Sequence, residues 1–333
     1  GQIQFIMMLL FFGITSGATV LTAQYWGKKD TRTIEKILGM GLSVSLVVAA
    51  AFTIVALLIP ETLMRIYSSD AEVITEGARY LRIVGLSYLC IAVTQVYLNI
   101  MRSIERVLIA TFVYFMSLVV NVVVNALLIF GLCGFPKLGI VGAAIGTLCA
   151  RITETVIVLV YARTRNRDVR IRLYDMFHID RVLLRDYMVY AMPVVLNELM
   201  WGLGSSANTA VIGHMGSAAV AANSVAQVAR QLATVVVFGI SNATAIYLGK
   251  TIGERQILHA RAYAKRFVGL SLLLGTIGGG IILLAAPVAG ANLELTEQAK
   301  QYMNFMFFVM SYFTIAQSVN TTMVVGVFRS GGD

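Results

Sequence analysis

The stretch at residues 107–132, VLIATFVYFMSLVVNVVVNALLIFGL, contains no Lys, Arg, Asp or Glu. A helix of about 20 apolar residues is long enough to cross the hydrocarbon core of a bilayer. The stretch also lacks the two-residue alternation of apolar and polar residues that marks a strand of a membrane barrel. In lipid, only helices and closed barrels satisfy the hydrogen bonds of every backbone group. This stretch therefore predicts a transmembrane helix.

The rest of the chain repeats this pattern. Of its 333 residues, 58% are hydrophobic and only 13% are charged, whereas a soluble domain has about 25% charged residues. The composition excludes a soluble enzyme, a nucleic-acid-binding domain and a disordered chain. We predict an all-α integral membrane protein with nine spans, at residues 3–26, 37–59, 80–101, 107–132, 138–161, 187–212, 222–249, 265–288 and 302–327.

The basic residues predict the orientation of these spans. The segments that follow the first, third, fifth, seventh and ninth spans hold nineteen of the 26 Lys and Arg residues, and the opposite segments hold five. Positively charged loops remain on the cytoplasmic side of a membrane, so we expect the first set to be cytoplasmic. The net charge of +9 then reflects orientation and does not indicate a nucleic-acid partner.

An internal repeat divides the chain. Residues 13–30 align without a gap with residues 239–256, so that Gly27 faces Gly253. Both segments are apolar helices that end in a glycine turn before a charged loop. Their cytoplasmic ends are equivalent, which predicts two similar bundles related by an axis along the membrane normal, as in several transporters.

The repeat predicts three parts of the chain. An N-terminal lobe covers residues 1–161, a basic cytoplasmic linker covers 162–186, and a C-terminal lobe covers 187–333. We expect the two lobes to be pseudo-symmetric.

Four motifs occur in order along the chain: Gly13-Ile-Thr-Ser-Gly-Ala18 with Ala23-Gln-Tyr-Trp-Gly27, the stretch from Asn121 to Thr147, Pro193-Val-Val-Leu-Asn-Glu198, and Phe328-Arg-Ser-Gly-Gly-Asp333. Together they resemble the multidrug and toxic compound extrusion (MATE) family in its NorM-like bacterial form. The resemblance implies twelve helices in two six-helix lobes around a central cleft. It also implies that this chain holds helices two to ten of a longer protein.

Two acids, Glu154 and Glu198, lie deep in apolar spans, where ionisable residues are functional candidates by default. Arg151 lies one helical turn before Glu154, so a structural ion pair is one interpretation and a functional acid is the other. Glu198 has no basic residue nearby in the sequence, and burial without a partner favours its neutral form. A proton- or sodium-exchanging site behaves in this way, and the alternative is a carboxyl hydrogen-bonded within the bundle. The resemblance matches Glu198 with an acid linked to cation coupling.

Polar residues in other spans are weaker candidates. Asn121 and Asn125 lie one turn apart and offer either oxygen ligands for sodium or hydrogen bonds between helices. The resemblance adds Thr147 and Asn99 to a first-lobe cation site, whose acid would lie on a helix that this chain lacks. The remaining polar residues within the spans are possible cleft residues: Gln24, Asn197, Gln227, Arg230, Asn242, Ser318 and Asn320. Of these, we interpret Gln24, Gln227, Arg230 and Asn242 individually as packing residues rather than ligands, although Arg230 could neutralise an acid from another helix.

These patterns predict a secondary active exporter. A gradient of sodium or protons would drive ion binding at Glu198, and the lobes would expose the cleft to each side of the membrane in turn. The expected substrates are organic cations or amphipathic drugs, because an acid and aromatic rings in an apolar cleft bind such compounds. A lipid-linked oligosaccharide flippase is the alternative within transport, with Arg151 and Arg230 as the deep basic residues. An intramembrane enzyme is disfavoured because the spans offer neither a nucleophile–base pair nor a metal pair. A Walker A sequence is absent, so ATP-driven transport has no support in this sequence.

The remaining expectations follow from this function. We expect no cofactor besides the Na⁺ or H⁺ coupling ion, with Na⁺ bound at Glu198 if sodium is used. The expected partners are the lipid bilayer and the transported drugs. We expect no nucleic-acid partner. We also expect a monomer in the bacterial inner membrane.

Overall fold

A computed structural model of the chain describes residues 2–65, 71–178, 180–292 and 296–331. Its elements, within these residues, are all helical. They are α1 (Gln2–Gly27), α2 (Thr31–Leu58), α3 (Pro60–Arg65), α4 (Ala71–Gly85), α5 (Ser87–Ser103), α6 (Val107–Phe130), a 3₁₀ turn (Leu132–Gly134), α7 (Ile140–Thr164), α8 (Leu173–Phe177), α9 (Arg181–His214), α10 (Ser217–Gly253), α11 (Ile257–Asn292), α12 (Glu297–Thr321), a π-helix (Thr322–Phe328) and α13 (Arg329–Gly331).

Six of these helices are long and apolar enough to cross a membrane: α1, α2, α6, α7, α10 and α11. The pair α4 and α5 is a seventh candidate, bent by 46°. The predicted spans at 187–212 and 302–327 lie on α9 and on α12 with the π-helix, which do not meet the same criteria of length and composition. The count of nine spans therefore stays a prediction, whereas six helices have the length and composition needed to cross a membrane.

The predicted span at 80–101 is bent in the structure. It begins within α4 and bends at Leu86, between α4 and α5. The Leu86 N–H donates to the carbonyl of Ile83 at 3.3 Å, three residues back instead of four. The Ser87 hydroxyl donates to the carbonyl of Val84 at 2.6 Å. Side chains that bond the preceding turn interrupt the regular ladder, which is a recognised cause of bending.

The chain forms two compact units. The first contains Gly1–Thr22 and Asp30–Leu196, and the second contains Ala23–Lys29 and Asn197–Asp333. The boundaries fall inside α1 and α9, and the segment 162–186 belongs to the first unit. The two six-helix lobes and their sequence boundaries stay a prediction.

Ion pairs attach the basic linker to the first unit. The Arg32 guanidinium at the start of α2 donates to both carboxylate oxygens of Asp175, at 2.6 and 2.7 Å. Asp175 is only 3% exposed. Arg172 makes a second ion pair with the buried Glu35 on α2, at 2.7 Å. Bidentate arginine–carboxylate pairs have a defined geometry, so the linker is held in a specific position on α2.

The turns that follow α1 and α10 have the same backbone geometry. Lys29 and Arg255, which the repeat aligns, both have a positive φ, 59° and 62°. The Lys29 N–H donates to the Trp26 carbonyl at 3.0 Å, and the Arg255 N–H donates to the Ile252 carbonyl at 2.9 Å. A positive φ is uncommon for residues other than glycine, so its recurrence at aligned positions supports the repeat at these two ends.

Two aligned glycines bring the ends of α1 and α10 together within the second unit. A Cβ added to Gly253 would overlap the carbonyl oxygen of Gln24, and one added to Gly27 would overlap the carbonyl oxygen of Lys250. Both obstacles are backbone atoms, which cannot swing aside as a flexible side chain would. This crossing therefore requires glycine on both helices.

Candidate functional site

A cavity of about 440 Å³ lies within the first unit, between α1, α4, α6 and α7. Its lining combines aromatic, amide, hydroxyl and charged groups. The lining residues are Gln4, Tyr80, Tyr114, Ser117, Leu118, Asn121, Thr147, Ala150, Arg151 and Glu154. Concave sites with a few convergent polar groups are the usual locations of small-molecule binding.

Helical periodicity explains the contribution of α6 to this cavity. Tyr114, Ser117 and Asn121 are spaced three and four residues apart, which places them on one face of the helix. Phe112 and Phe115, on other faces, are more than half exposed, at 53% and 60%. The sequence interpretation named Asn121 but missed Tyr114 and Ser117, although their spacing was a signal that could have found them.

The same spacing on α7 directs Thr147, Arg151 and Glu154 into the cavity. Arg151 donates to Glu154 at 2.7 Å, which confirms the predicted ion pair. Glu154 is 1% exposed and also accepts from the Thr94 hydroxyl at 3.5 Å. Both residues line the cavity, where the Arg151 side chain is 24% exposed and that of Glu154 is 1% exposed.

The two predicted amides are bonded to each other. The Asn125 Nδ2 donates to the Asn121 Oδ1 at 3.0 Å. The Asn125 Oδ1 is buried and has no hydrogen-bond partner among the residues that the structure describes. Thr147 donates to the carbonyl of Ala143, one turn back in its own helix, at 3.0 Å. Asn121 and Thr147 thus both line the cavity. Asn125 is not a lining residue but is hydrogen-bonded to Asn121.

Asn99, the fourth member of the predicted first-lobe group, does not line the cavity. Its side-chain amide donates to the carbonyl of Gln95 in α5, at 2.8 Å. Gln95 instead reaches the cavity wall through Tyr114, whose hydroxyl donates to it at 3.4 Å. The Tyr114 hydroxyl also accepts from Arg102 at 3.2 Å. Tyr114 therefore connects the cavity to two polar groups of α5.

In the second unit, the expectation that Glu198 has no basic partner is wrong. The Arg329 Nη2 lies 3.1 Å from the Glu198 Oε1. The Arg329 side chain is 7% exposed and that of Glu198 is 16% exposed. The two residues are 131 positions apart, which is why no local spacing indicated the pair. The π-helix Thr322–Phe328 leads directly into Arg329, and π-helical turns are frequent at functional sites.

Arg230 does not neutralise an acid within the described part of the chain. Its Nε and Nη2 donate to the amide oxygen of Gln227 at 2.9 and 2.7 Å, and its Nη1 donates to that of Gln317 at 3.0 Å. The Phe313 ring centroid lies 6.0 Å from the guanidinium carbon. Two neutral amides and an aromatic ring thus hold this cation.

The other predicted polar residues do not share hydrogen-bond partners with one another. Gln24 donates to the carbonyl of Ser330 at 3.1 Å. Asn242 and Ser318 each donate to a carbonyl one turn back in their own helices, at 2.9 and 2.6 Å. Asn197 and Asn320 are exposed. Asn242 is exposed, whereas Ser318 is buried.

Comparisons with known proteins show the family of this chain. The MatE family profile matches residues 1–127 and 193–327. A "Probable multidrug resistance protein YoeA" of Bacillus subtilis is 23% identical, over 98% of this chain and 71% of its own length. A "Probable multidrug resistance protein NorM" of Halalkalibacterium halodurans is also 23% identical, over 96% of this chain and 70% of its own length.

The fold has a solved counterpart. The outward-facing structure of a multidrug resistance MATE family transporter of the MOP superfamily superposes with a TM-score of 0.88 at 20% identity. The match covers 98% of this chain and 72% of that one. Because the family profile covers most of its residues, this multi-pass membrane protein belongs to the MatE family.

Proposed function

We propose that this chain is part of a secondary active exporter that exchanges Na⁺ or H⁺ for small organic cations or amphipathic drugs, by alternating access of the two predicted lobes. Membership of the MatE family supports it, as do relatives named as multidrug resistance proteins. The coupling ion and the substrates belong to the proposal.

The observation that carries the proposal is the cavity of the first unit. It presents the rings of Tyr80 and Tyr114 beside the carboxylate of Glu154. An organic cation is attracted both by the face of an aromatic ring and by a carboxylate in a site of low dielectric constant. Because Glu154 already holds Arg151 at 2.7 Å, a cation must compete with that guanidinium.

Coupling to an ion is proposed at Glu198. A proton or Na⁺ that binds this carboxylate must displace the guanidinium of Arg329, which lies 3.1 Å away. Its release would free the end of the π-helix from α9. A local charge change of this kind can bias a conformational equilibrium, and the ion and the drug would then favour different conformations.

The test is ion-driven efflux of ethidium from everted vesicles that contain the full-length protein, with imposed sodium or pH gradients. We expect Glu198→Gln to abolish the dependence on the gradient, and Glu154→Gln to reduce ethidium transport at low concentration. Glu297→Gln is the matched control, because that residue is 87% exposed. Undiminished gradient-driven efflux by Glu198→Gln would remove this residue from the mechanism.

Flipping of a lipid-linked oligosaccharide is the second candidate. The structure adds Arg329 to the basic residues considered, since its side chain is buried at the end of the last predicted span, and basic groups suit a pyrophosphate. Arg151 and Arg329 are neutralised by Glu154 and Glu198, however, which makes the drug exporter the better supported of the two. Transport of radiolabelled lipid-linked oligosaccharide without ethidium efflux would reverse this order.

We further propose that the protein is a monomer in the bacterial inner membrane and binds no nucleic acid. The relatives' names describe transporters and resistance proteins, so an intramembrane enzyme has no support from them.

A further inference from the structure

The basic linker contains a short helix, α8, whose outer side is apolar. Leu173, Tyr174 and Phe177 are 69%, 63% and 81% exposed, and we call these three side chains the apolar face of α8. The other side of the helix packs on α2, where Asp175 is buried. Exposed apolar surface that adjoins polar residues often marks a site of contact with a membrane or another molecule.

The contacts of α8 with α2 indicate the depth of this apolar face. The Ser43 hydroxyl donates to the Met176 carbonyl at 2.7 Å. A Cβ added to Gly39 would lie 2.8 Å from the backbone of Asp175, so the two helices are in close contact there. Gly39 and Ser43 belong to the first two turns of the span predicted at residues 37–59. The linker helix therefore lies beside the predicted cytoplasmic end of a membrane-crossing helix, at the level of the lipid headgroups.

The exposure of α2 changes at the same level. None of its residues from 34 to 46 is exposed, whereas Val47 is 71% exposed and Ile54 is 54% exposed. Because α8 packs on the covered part of α2, its apolar face takes the outer position that the side chains of α2 have farther along the span. Aromatic residues are enriched at this boundary between membrane and water.

The charges of the linker supply a second observation. Three of its four aspartates form ion pairs with basic residues outside the linker. These pairs are Asp168 with Arg106, Asp175 with Arg32, and Asp180 with Lys36. Of the seven linker arginines, Arg172 pairs with Glu35, and the other six are exposed and form no ion pair with a described residue. Two of these six, Arg170 and Arg181, flank α8 in the sequence.

We propose that the apolar face of α8 inserts into the headgroup region of the cytoplasmic leaflet, and that Arg170 and Arg181 bind the headgroup of an anionic phospholipid there. Apolar side chains with basic neighbours are typical of helices that lie in the membrane interface. Basic residues at this level attract anionic lipids, whereas the choline of phosphatidylcholine cancels the charge of its phosphate. The proposal does not rest on the proposed export.

Photo-cross-linking of the full-length protein tests this contact. p-Benzoylphenylalanine replaces Phe177, and the protein is irradiated in nanodiscs with equal amounts of phosphatidylglycerol and phosphatidylcholine. Mass spectrometry of the cross-linked peptide then gives the ratio of the two lipids. A basic residue near an anionic surface contributes about fivefold, so we expect phosphatidylglycerol to exceed phosphatidylcholine by about fivefold or more. Arg170→Gln with Arg181→Gln should reduce this excess to about twofold or less, on the same basis.

Salt tests the ionic part of the contact without a substitution. At 1 M NaCl, where the screening length is about 3 Å, the excess at position 177 should fall in the otherwise unmodified protein. An excess that is unchanged by salt would contradict binding through the arginines.

Two controls use the same unit of the protein. The label in place of Phe115, which is 60% exposed on α6, a helix without charged residues, should react equally with both lipids. Arg65→Gln with Arg79→Gln changes two exposed arginines on the opposite predicted side of the membrane and should preserve the excess at position 177.

Three results would overturn the proposal. The first is equal cross-linking of the two lipids at position 177, or the same excess at position 115. The second is an excess that persists in Arg170→Gln with Arg181→Gln. The third is a label at position 177 that reacts with no lipid but joins two copies of the chain, which would show that protein covers the apolar face of α8. Since none of these measurements involves drug efflux, failure of the proposed export would leave them unchanged.

Discussion

Replacing Arg329 with methionine removes the cation that pairs with Glu198 and leaves the carboxylate in a largely buried position. Two unit charges about 3 Å apart, the separation seen for this pair, attract by roughly 5 kcal/mol at an effective dielectric constant of 20. Desolvation offsets part of this attraction, and breaking a buried pair costs about 3–5 kcal/mol in measured cases. Because Glu198 is 16% exposed, we expect Arg329→Met to lower the free energy of unfolding by about 3 kcal/mol.

A double-mutant cycle isolates the interaction between the two side chains. Glu198→Gln removes the negative charge with little change in shape, and the double variant leaves no charge at either position. We expect the double variant to be about 2 kcal/mol more stable than the sum of the two single changes predicts. The free energy of unfolding is measured by reversible denaturation in mixed micelles of increasing sodium dodecyl sulfate content.

The exposed pair of Lys300 and Glu297 provides the control cycle. Its charges are 3.2 Å apart, similar to the buried pair, but Glu297 is 87% exposed. Exposed ion pairs contribute about 0–1 kcal/mol, so its coupling energy should be below about 0.5 kcal/mol. If the cycle at Arg329 and Glu198 gives a value as small as this control, the ion pair contributes little and the coupling role proposed for Glu198 loses its structural basis.

Three further predictions concern contacts outside the ion pairs. Gly253→Ala should destabilise the protein by about 1–3 kcal/mol because its Cβ meets backbone, whereas Gly239→Ala in the same helix, with open space around it, should be neutral or slightly stabilising in the same denaturation assay. Asp175→Asn breaks the bidentate pair with Arg32, so trypsin should cleave the linker faster, and an unchanged cleavage rate would show that the pair does not hold it. A hydrogen bond from the Thr33 side chain lowers the pKa of Asp30, which caps α2. Its stabilising contribution is therefore present above about pH 4, the unfolded pKa, and is lost as pH falls through the lower folded value. The stability difference between the unmodified protein and Asp30→Asn should shrink over this acidic range, and a constant difference would contradict the assignment.

The sequence alone was enough to predict the helical architecture, because in lipid each helix must satisfy its own backbone hydrogen bonds and be apolar over its length. The apolar run at 107–132 therefore predicts a helix close to the observed Val107–Phe130. The repeat was also visible, and the turns at Lys29 and Arg255 have the matching backbone geometry that it implies. The Arg151–Glu154 pair was predictable because its partners lie one turn apart.

Contacts between distant parts of the chain depended on the tertiary structure. The ion pair of Glu198 joins residues 131 positions apart, and the amide that holds Arg230 from α12 is 87 positions away. Helix periodicity shows which residues share a face, but packing decides which faces meet and which charges are neutralised. Sequence therefore indicated that polar groups lie within the spans, whereas the tertiary structure decided that Glu198 is paired and that Arg230 has no acidic partner among the residues described.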